Sequence, residues 1–216
     1  MHRHAATGIV LALLIGTAIA FAETERLKLK PTPIEESFVQ PAFSRRAEIR
    51  LRLHRADTVT VRIQDLAGET VRVLVDDRRL PEGRTVLYWD GRTDAGSSAP
   101  DGRYRVEVEL AGADRAFQLP QQTMLDTVAP TAHVVSYRPE VARPRQRVRV
   151  FYRVSEPAHG VLFVNGRRRV RTNTKLRSAE LQWRPKRAGS YRLQLAALDV
   201  AGNLGPRSPV FVVLVG

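Results

Sequence analysis

An all-β fold, with two β-sandwiches in tandem behind an apolar N-terminal segment, is predicted by three features of the 216-residue sequence. Apolar side chains recur at every second position in short runs, the pattern of strands with one face buried. Gly, Pro, Asp and Asn separate those runs at intervals of about ten residues, the spacing of strands in a sandwich. Beyond the N-terminal segment no stretch sustains a helical period.

At the N-terminus, His2, Arg3 and His4 precede an uncharged run over 5–22 that ends in Ala20-Phe21-Ala22. A short positive start, an apolar middle and small residues two apart predict a signal peptide over 1–22. The same run is just long enough to cross a bilayer, so an uncleaved anchor is the alternative. Both readings place the remainder outside the cytoplasmic membrane, in the periplasm, on the cell surface or beyond the cell. Residues 23–41 read ETERLKLKPTPIEESFVQP, and their prolines and mixed charges predict an extended tether.

The first sandwich is expected over 42–120. Ile49, Leu51 and Leu53 alternate with polar residues, as do Val59, Val61 and Ile63. The turn Asp65-Leu66-Ala67-Gly68 then reverses the chain into Val71, Val73 and Val75, with Asp and Gly supplying the turn geometry. Val86 and Tyr88 lead to Trp89-Asp90-Gly91, a loop carries Asp94, Gly96, Pro100 and Gly102, and Tyr104, Val106, Val108 and Leu110 alternate again.

The prolines of LPQQTMLDTVAPTA (119–132) and its lack of apolar periodicity place a linker over 121–130. The second sandwich is expected over 131–216. Val148, Val150, Tyr152 and Val154 alternate, and the strand over 161–164 meets Asn165-Gly166, a strong hairpin signal. Further strands are expected over 181–183, 191–198 and 210–215, separated by Arg-Pro-Lys-Arg-Ala-Gly and Asp199-Val200-Ala201-Gly202-Asn203.

VTVRIQDLAGETVRVLV and YWDGRTDAGSSAPDGRYRVEVEL, between Val59 and Leu110, resemble the immunoglobulin-like domain of the flagellar hook-capping protein, the FlgD-type Ig-like domain. The resemblance rests on Asp65 and Gly68, on Trp89, Asp90 and Gly91, and on Gly102 and Tyr104. The second half resembles bacterial Ig-like repeats through Leu125-Asp126-Thr127-Val128-Ala129-Pro130 and through Asp199, Gly202 and Asn203. These resemblances imply two immunoglobulin-like, fibronectin III-like sandwiches. A flagellar hook-assembly role is the remotest reading, because a hook-capping protein is expected to leave through the flagellar channel without a cleaved leader.

The function classes are narrowed by chemistry. The chain has no cysteine, which removes thiol catalysis, disulfides and Cys-based zinc sites. His2, His4, His54, His133 and His159 are read as solvated positions without a second ligand or a paired acid, and no nucleophile elbow or phosphate loop occurs. Asp90, Asp94 and Asp101, like Asp126 and Asp199, are read as turn formers rather than metal ligands. Trp89 and Tyr104 could form a sugar platform, but a sandwich needs large inward residues and core packing is the expectation. No catalytic set, metal or cofactor is therefore expected.

The formal net charge of +13 is almost all arginine, since lysine occurs only at Lys28, Lys30, Lys175 and Lys186. Arg145, Arg147, Arg149 and Arg153 are expected on one side of a strand and Arg167, Arg169 and Arg171 on one side of the next hairpin, with Lys175 and Arg177 close behind. If the two faces adjoin, they would attract an anionic envelope polymer in a salt-sensitive way. Such charges also protect exposed strands from edge aggregation. The expectation is a non-enzymatic, exported adhesion or scaffold protein. Its partner would be an envelope or extracellular protein, or alternatively an anionic envelope polymer. No specific nucleic-acid contact is expected, and membrane contact is expected only through an uncleaved N-terminal segment.

Overall fold

The structure is a computed structural model and describes residues 34–216, so the signal peptide or anchor and the tether residues 23–33 lie outside the described residues. It is all-β apart from a short 3-10 turn at Ala111–Ala113. The first sandwich packs a three-stranded sheet of β1 (Ile34–Val39), β3 (Ala47–Leu53) and β6 (Gly83–Trp89), in the order β1-β3-β6, against a five-stranded sheet. That second sheet runs in the order β2-β8-β7-β4-β5, from β2 (Ala42–Phe43), β8 (Arg115–Leu125), β7 (Gly102–Leu110), β4 (Asp57–Gln64) and β5 (Thr70–Leu80).

The second sandwich repeats this order strand for strand. β9 (Ala132–Arg138), the first half of β11 (Val148–Val164) and β13 (Leu176–Trp183) form one layer. β10 (Val141–Ala142), β15 (Phe211–Val215), β14 (Gly189–Leu198), the second half of β11 and β12 (Arg167–Arg171) form the other. β11 thus passes from one sheet to the other and does the work that β3 and β4 share in the first sandwich.

Alternation explains the layers. Ile49, Leu51 and Leu53 of β3 and Val59, Val61 and Ile63 of β4 point into one core with Val106, Val108 and Leu110. Val148, Val150, Tyr152, Leu193, Leu195 and Val213 build the other. Asn165 and Gly166 both take positive φ, 49° and 77°, as the tight hairpin after β11 requires.

Two expectations are corrected. Residues 34–39 are not tether: β1 pairs with β3, and Ile34 and Val39 at its ends are buried. The run is short and has acids at its centre, so the period-two signal is weak, yet the ladder with β3 satisfies its backbone. The linker is also shorter than 121–130, because β8 continues to Leu125 with Leu119, Thr123 and Leu125 turned inward. Pro120 hides this strand from sequence inspection. It sits where the register with β7 shifts between Arg105 and Glu107, a bulge at which a missing N–H costs no ladder bond.

Candidate functional site

Both sandwiches place a tryptophan at the same point, the last residue of β6 and of β13. Trp89 lies opposite Ala47 and Trp183 opposite Val148, the first residues of β3 and β11. Each meets a tyrosine at the third residue of the following strand, edge to face. The ring centroids are 4.7 Å apart for Trp89 and Tyr104, and 5.0 Å for Trp183 and Tyr191. Each tyrosine hydroxyl then donates to a carbonyl four residues upstream, Tyr104 to Pro100 at 2.5 Å and Tyr191 to Arg187 at 2.8 Å. This is a tyrosine corner, built twice.

In the first sandwich the corner is sealed. Phe43 of β2 packs on Trp89 with centroids 5.3 Å apart, and Trp89 Nε1 donates to Arg92 O at 2.9 Å. The loop 90–101 folds over the indole: Asp90 accepts from Arg92 N, and Gly91, at φ 77°, leaves room for Leu125, which a Cβ there would crowd at 3.2 Å. Trp89 is fully buried, and burial, aided by Asp65 and Asp101, pushes the Tyr104 hydroxyl up so that it stays a donor. Asp65 holds its own turn by accepting from Ala67 N and Glu69 N, with Gly68 at φ 93°. Residues 43–114 match the FlgD Ig-like domain. In this FlgD-type domain the family motif is therefore a core lid, and Trp89 and Tyr104 offer no platform to a ligand.

The fold as a whole resembles the fibronectin(III)-like modules of Clostridium thermocellum CbhA, at 13% identity and a TM-score of 0.51, over 84% of this chain and 92% of that one. It also resembles the chicken CNTN1 FN1-FN3 domains, at 16% identity and a TM-score of 0.51, over 84% of this chain and 64% of that one. These likenesses show the fold. No curated protein matches the chain in sequence.

Where the FlgD-type domain meets the second sandwich, residues 126–131 are tied on both sides. Asp126 N donates to Phe43 O, and Thr127 donates to Asp101 through both its N–H and its hydroxyl. On the other side Thr131 exchanges hydrogen bonds with Ser155, and Asn203 Nδ2 donates to Asp126 O at 2.8 Å. Gly205 is required there: a Cβ would stand 1.7 Å from Pro130 O.

Asp126 and Asp199, widely separated in sequence, converge here with Glu156, and one carboxylate oxygen of each lies within 4.8 Å of the others. These are the residues that could hold a cation, and hard oxygen donors suit calcium or magnesium rather than a soft metal. Both Asp199 oxygens already accept bonds, from Gly202 N, Asn203 N and Asn203 Nδ2, and Asp126 accepts from Val128 N. Both aspartates thus close turns through these bonds. Burial first, then Asp126 and Asp199, push the Glu156 carboxyl above the usual range. Asp90, Asp94 and Asp101 do not converge; each serves a separate turn or strand, Asp94 accepting from Val73 N.

The arginine rows are dispersed. Arg145 and Arg147 precede β11, with Arg145 in a turn at φ 67°; Arg149 and Arg153 lie on the outer face of the β9-β11-β13 layer, Arg149 pairing with Glu180 at 3.6 Å. A bulge in β12 separates Arg171, opposite Val161, from Arg167, opposite Val164, so they do not share a side. Arg177 donates to Ser155 O near the joint, and Lys175 precedes β13. The outer faces of the two layers point apart, so the two rows do not meet the condition of adjoining. His159 is another correction: it is buried, with Nδ1 2.7 Å from Thr172 O, whereas His54 and His133 are exposed.

Sequence inspection missed Glu156 and the second tyrosine corner. The latter had a signal, since Gly189-Ser190-Tyr191 after Trp183 repeats Gly102-Arg103-Tyr104 after Trp89.

Proposed function

We propose that the chain is an exported, non-enzymatic structural or interaction protein whose two immunoglobulin-like sandwiches act as one jointed pair outside the cytoplasmic membrane. The joint carries this reading. A connection hydrogen-bonded to Phe43 and Asp101 on one side and to Ser155 and Asn203 on the other resists bending, because rotation would strip bonds from both domains at once. A stiff pair suits a module that spaces or presents surfaces. The apolar run over 5–22 supports export, with an envelope or extracellular protein as partner and membrane contact through that N-terminal segment alone. Families with this fold typically lack catalysis, and the buried His159 is engaged by a backbone carbonyl rather than by an acid.

Co-sedimentation of the purified chain with isolated cell-envelope fractions tests the proposal. Retention that survives high salt and crosslinks to one protein is the expected result. Absence of retention, or retention only at low salt, would overturn it.

A further inference from the structure

The second tyrosine corner lacks the lid of the first. Position 43 is phenylalanine, paired with Leu125; the equivalent residue paired with Val215 is Ala142. Loop 90–101 of the first sandwich is matched only by the short turn 184–188. Trp183 is consequently half-buried rather than sealed, and among the described residues its Nε1 finds no acceptor. What replaces the lid is a groove of about 530 Å3 between the hairpin at Asn165 and the turn after Trp183.

The groove is cationic. Arg167 and Arg169 line one wall and Arg184, Lys186 and Arg187 the other. All are exposed, and among the described residues none enters an ion pair. Like charges gathered without acids raise each other's energy, and an anion relieves it. The walls are also held in place. Arg145 N donates to Pro185 O, Tyr191 OH to Arg187 O, and Asn165 binds the backbone of Arg192 through both its N–H and its Oδ1. Such a preformed site loses little freedom on binding.

We infer that this groove binds an acidic saccharide, with a pyranose ring against Trp183 and its carboxylate or phosphate groups between the flanking guanidinium and ammonium groups. Arginine pairs with such anions in two-pronged fashion, and an indole packs against the apolar face of a sugar ring. A single tryptophan beside one tyrosine offers at most one platform, whereas a nucleic-acid strand needs a row of them. The inference goes beyond the jointed-pair reading and stands without it. It also relocates polyanion binding from the dispersed strand faces to one end of the second sandwich.

Fluorescence anisotropy of a labelled oligogalacturonate with the full-length chain tests it, alongside polyphosphate and oligo(dT) of matched charge. Saturable, salt-sensitive binding that favours the saccharide is expected. The triple variant Arg167→Glu, Lys186→Glu, Arg187→Glu should weaken it about tenfold or more. The triple Arg138→Glu, Arg149→Glu, Arg153→Glu alters charge equally on a separate face and should change it by less than about twofold. Trp183→Leu should weaken saccharide binding and spare polyphosphate, with a thermal melt confirming its fold; if it does not fold, the two triple variants decide. No saturable binding, equal losses in both triples, or polyphosphate or oligo(dT) binding as tightly as the saccharide would each overturn the inference.

Discussion

The first sandwich seals the tryptophan that ends its β6 strand, and the second leaves the equivalent tryptophan half-open, although strand order, tyrosine contact and hydroxyl bond are the same in both. The difference lies outside the shared motif. Phe43 and loop 90–101 cover Trp89, while Ala142 and turn 184–188 leave Trp183 beside solvent. One local framework thus yields a core anchor or a binding wall, depending on what a neighbouring strand and loop supply.

The largest expected break in this comparison comes from Trp89→Ala, which should cost about 3–5 kcal/mol, the range for emptying a filled aromatic site. Trp183→Ala should cost less, about 2 kcal/mol, because part of its surface already faces water. Denaturant unfolding of both variants measures the gap, and equal losses would mean that the second corner is as sealed as the first.

Glycines sharpen the same contrast at smaller scale. Gly91 and Gly166 share φ 77°, but a Cβ at Gly91 meets Leu125 at 3.2 Å while one at Gly166 meets nothing within 4 Å. Gly166→Ala should therefore cost about 1 kcal/mol, for the left-handed backbone alone. Gly91→Ala should cost about 2 kcal/mol, because the lid over Trp89 must also shift. Urea midpoints distinguish the two.

The smallest effect is expected at the opposite end of the second sandwich, where Glu156 crowds Asp126 and Asp199. Its folded-state carboxyl is raised, so the folded chain holds that proton more tightly than the unfolded chain does. The resulting destabilisation is present above the folded pKa and fades as pH falls through it. Glu156→Gln should raise the melting midpoint slightly at neutral pH in EDTA and lose that advantage in mild acid, where Glu156 is itself neutral. A lower midpoint at neutral pH would show that the carboxylate is held by favourable contacts rather than strained by its neighbours.

Much of the architecture was legible because strands with one buried face write their period into the chain, as Ile49, Leu51 and Leu53 do, and because Asp65-Gly68 and Asn165-Gly166 meet backbone demands that few residues can meet. β1 and β8 were illegible for the converse reason. Their pairing comes from neighbours distant in sequence, and Pro120 looks like a linker until a bulge accommodates it.

By itself, then, the sequence determined two all-β units, their hairpins and the FlgD-type motif in the first, since these follow from local periodicity and turn chemistry. Only the tertiary structure decided which tryptophan is sealed, that Asp126, Glu156 and Asp199 meet at the joint, and that the arginine rows of strands 148–164 and 167–171 do not form one face while Arg167, Arg169, Arg184, Lys186 and Arg187 share a groove. Burial and charge proximity depend on which segments the sheets bring together, and no local pattern encodes that.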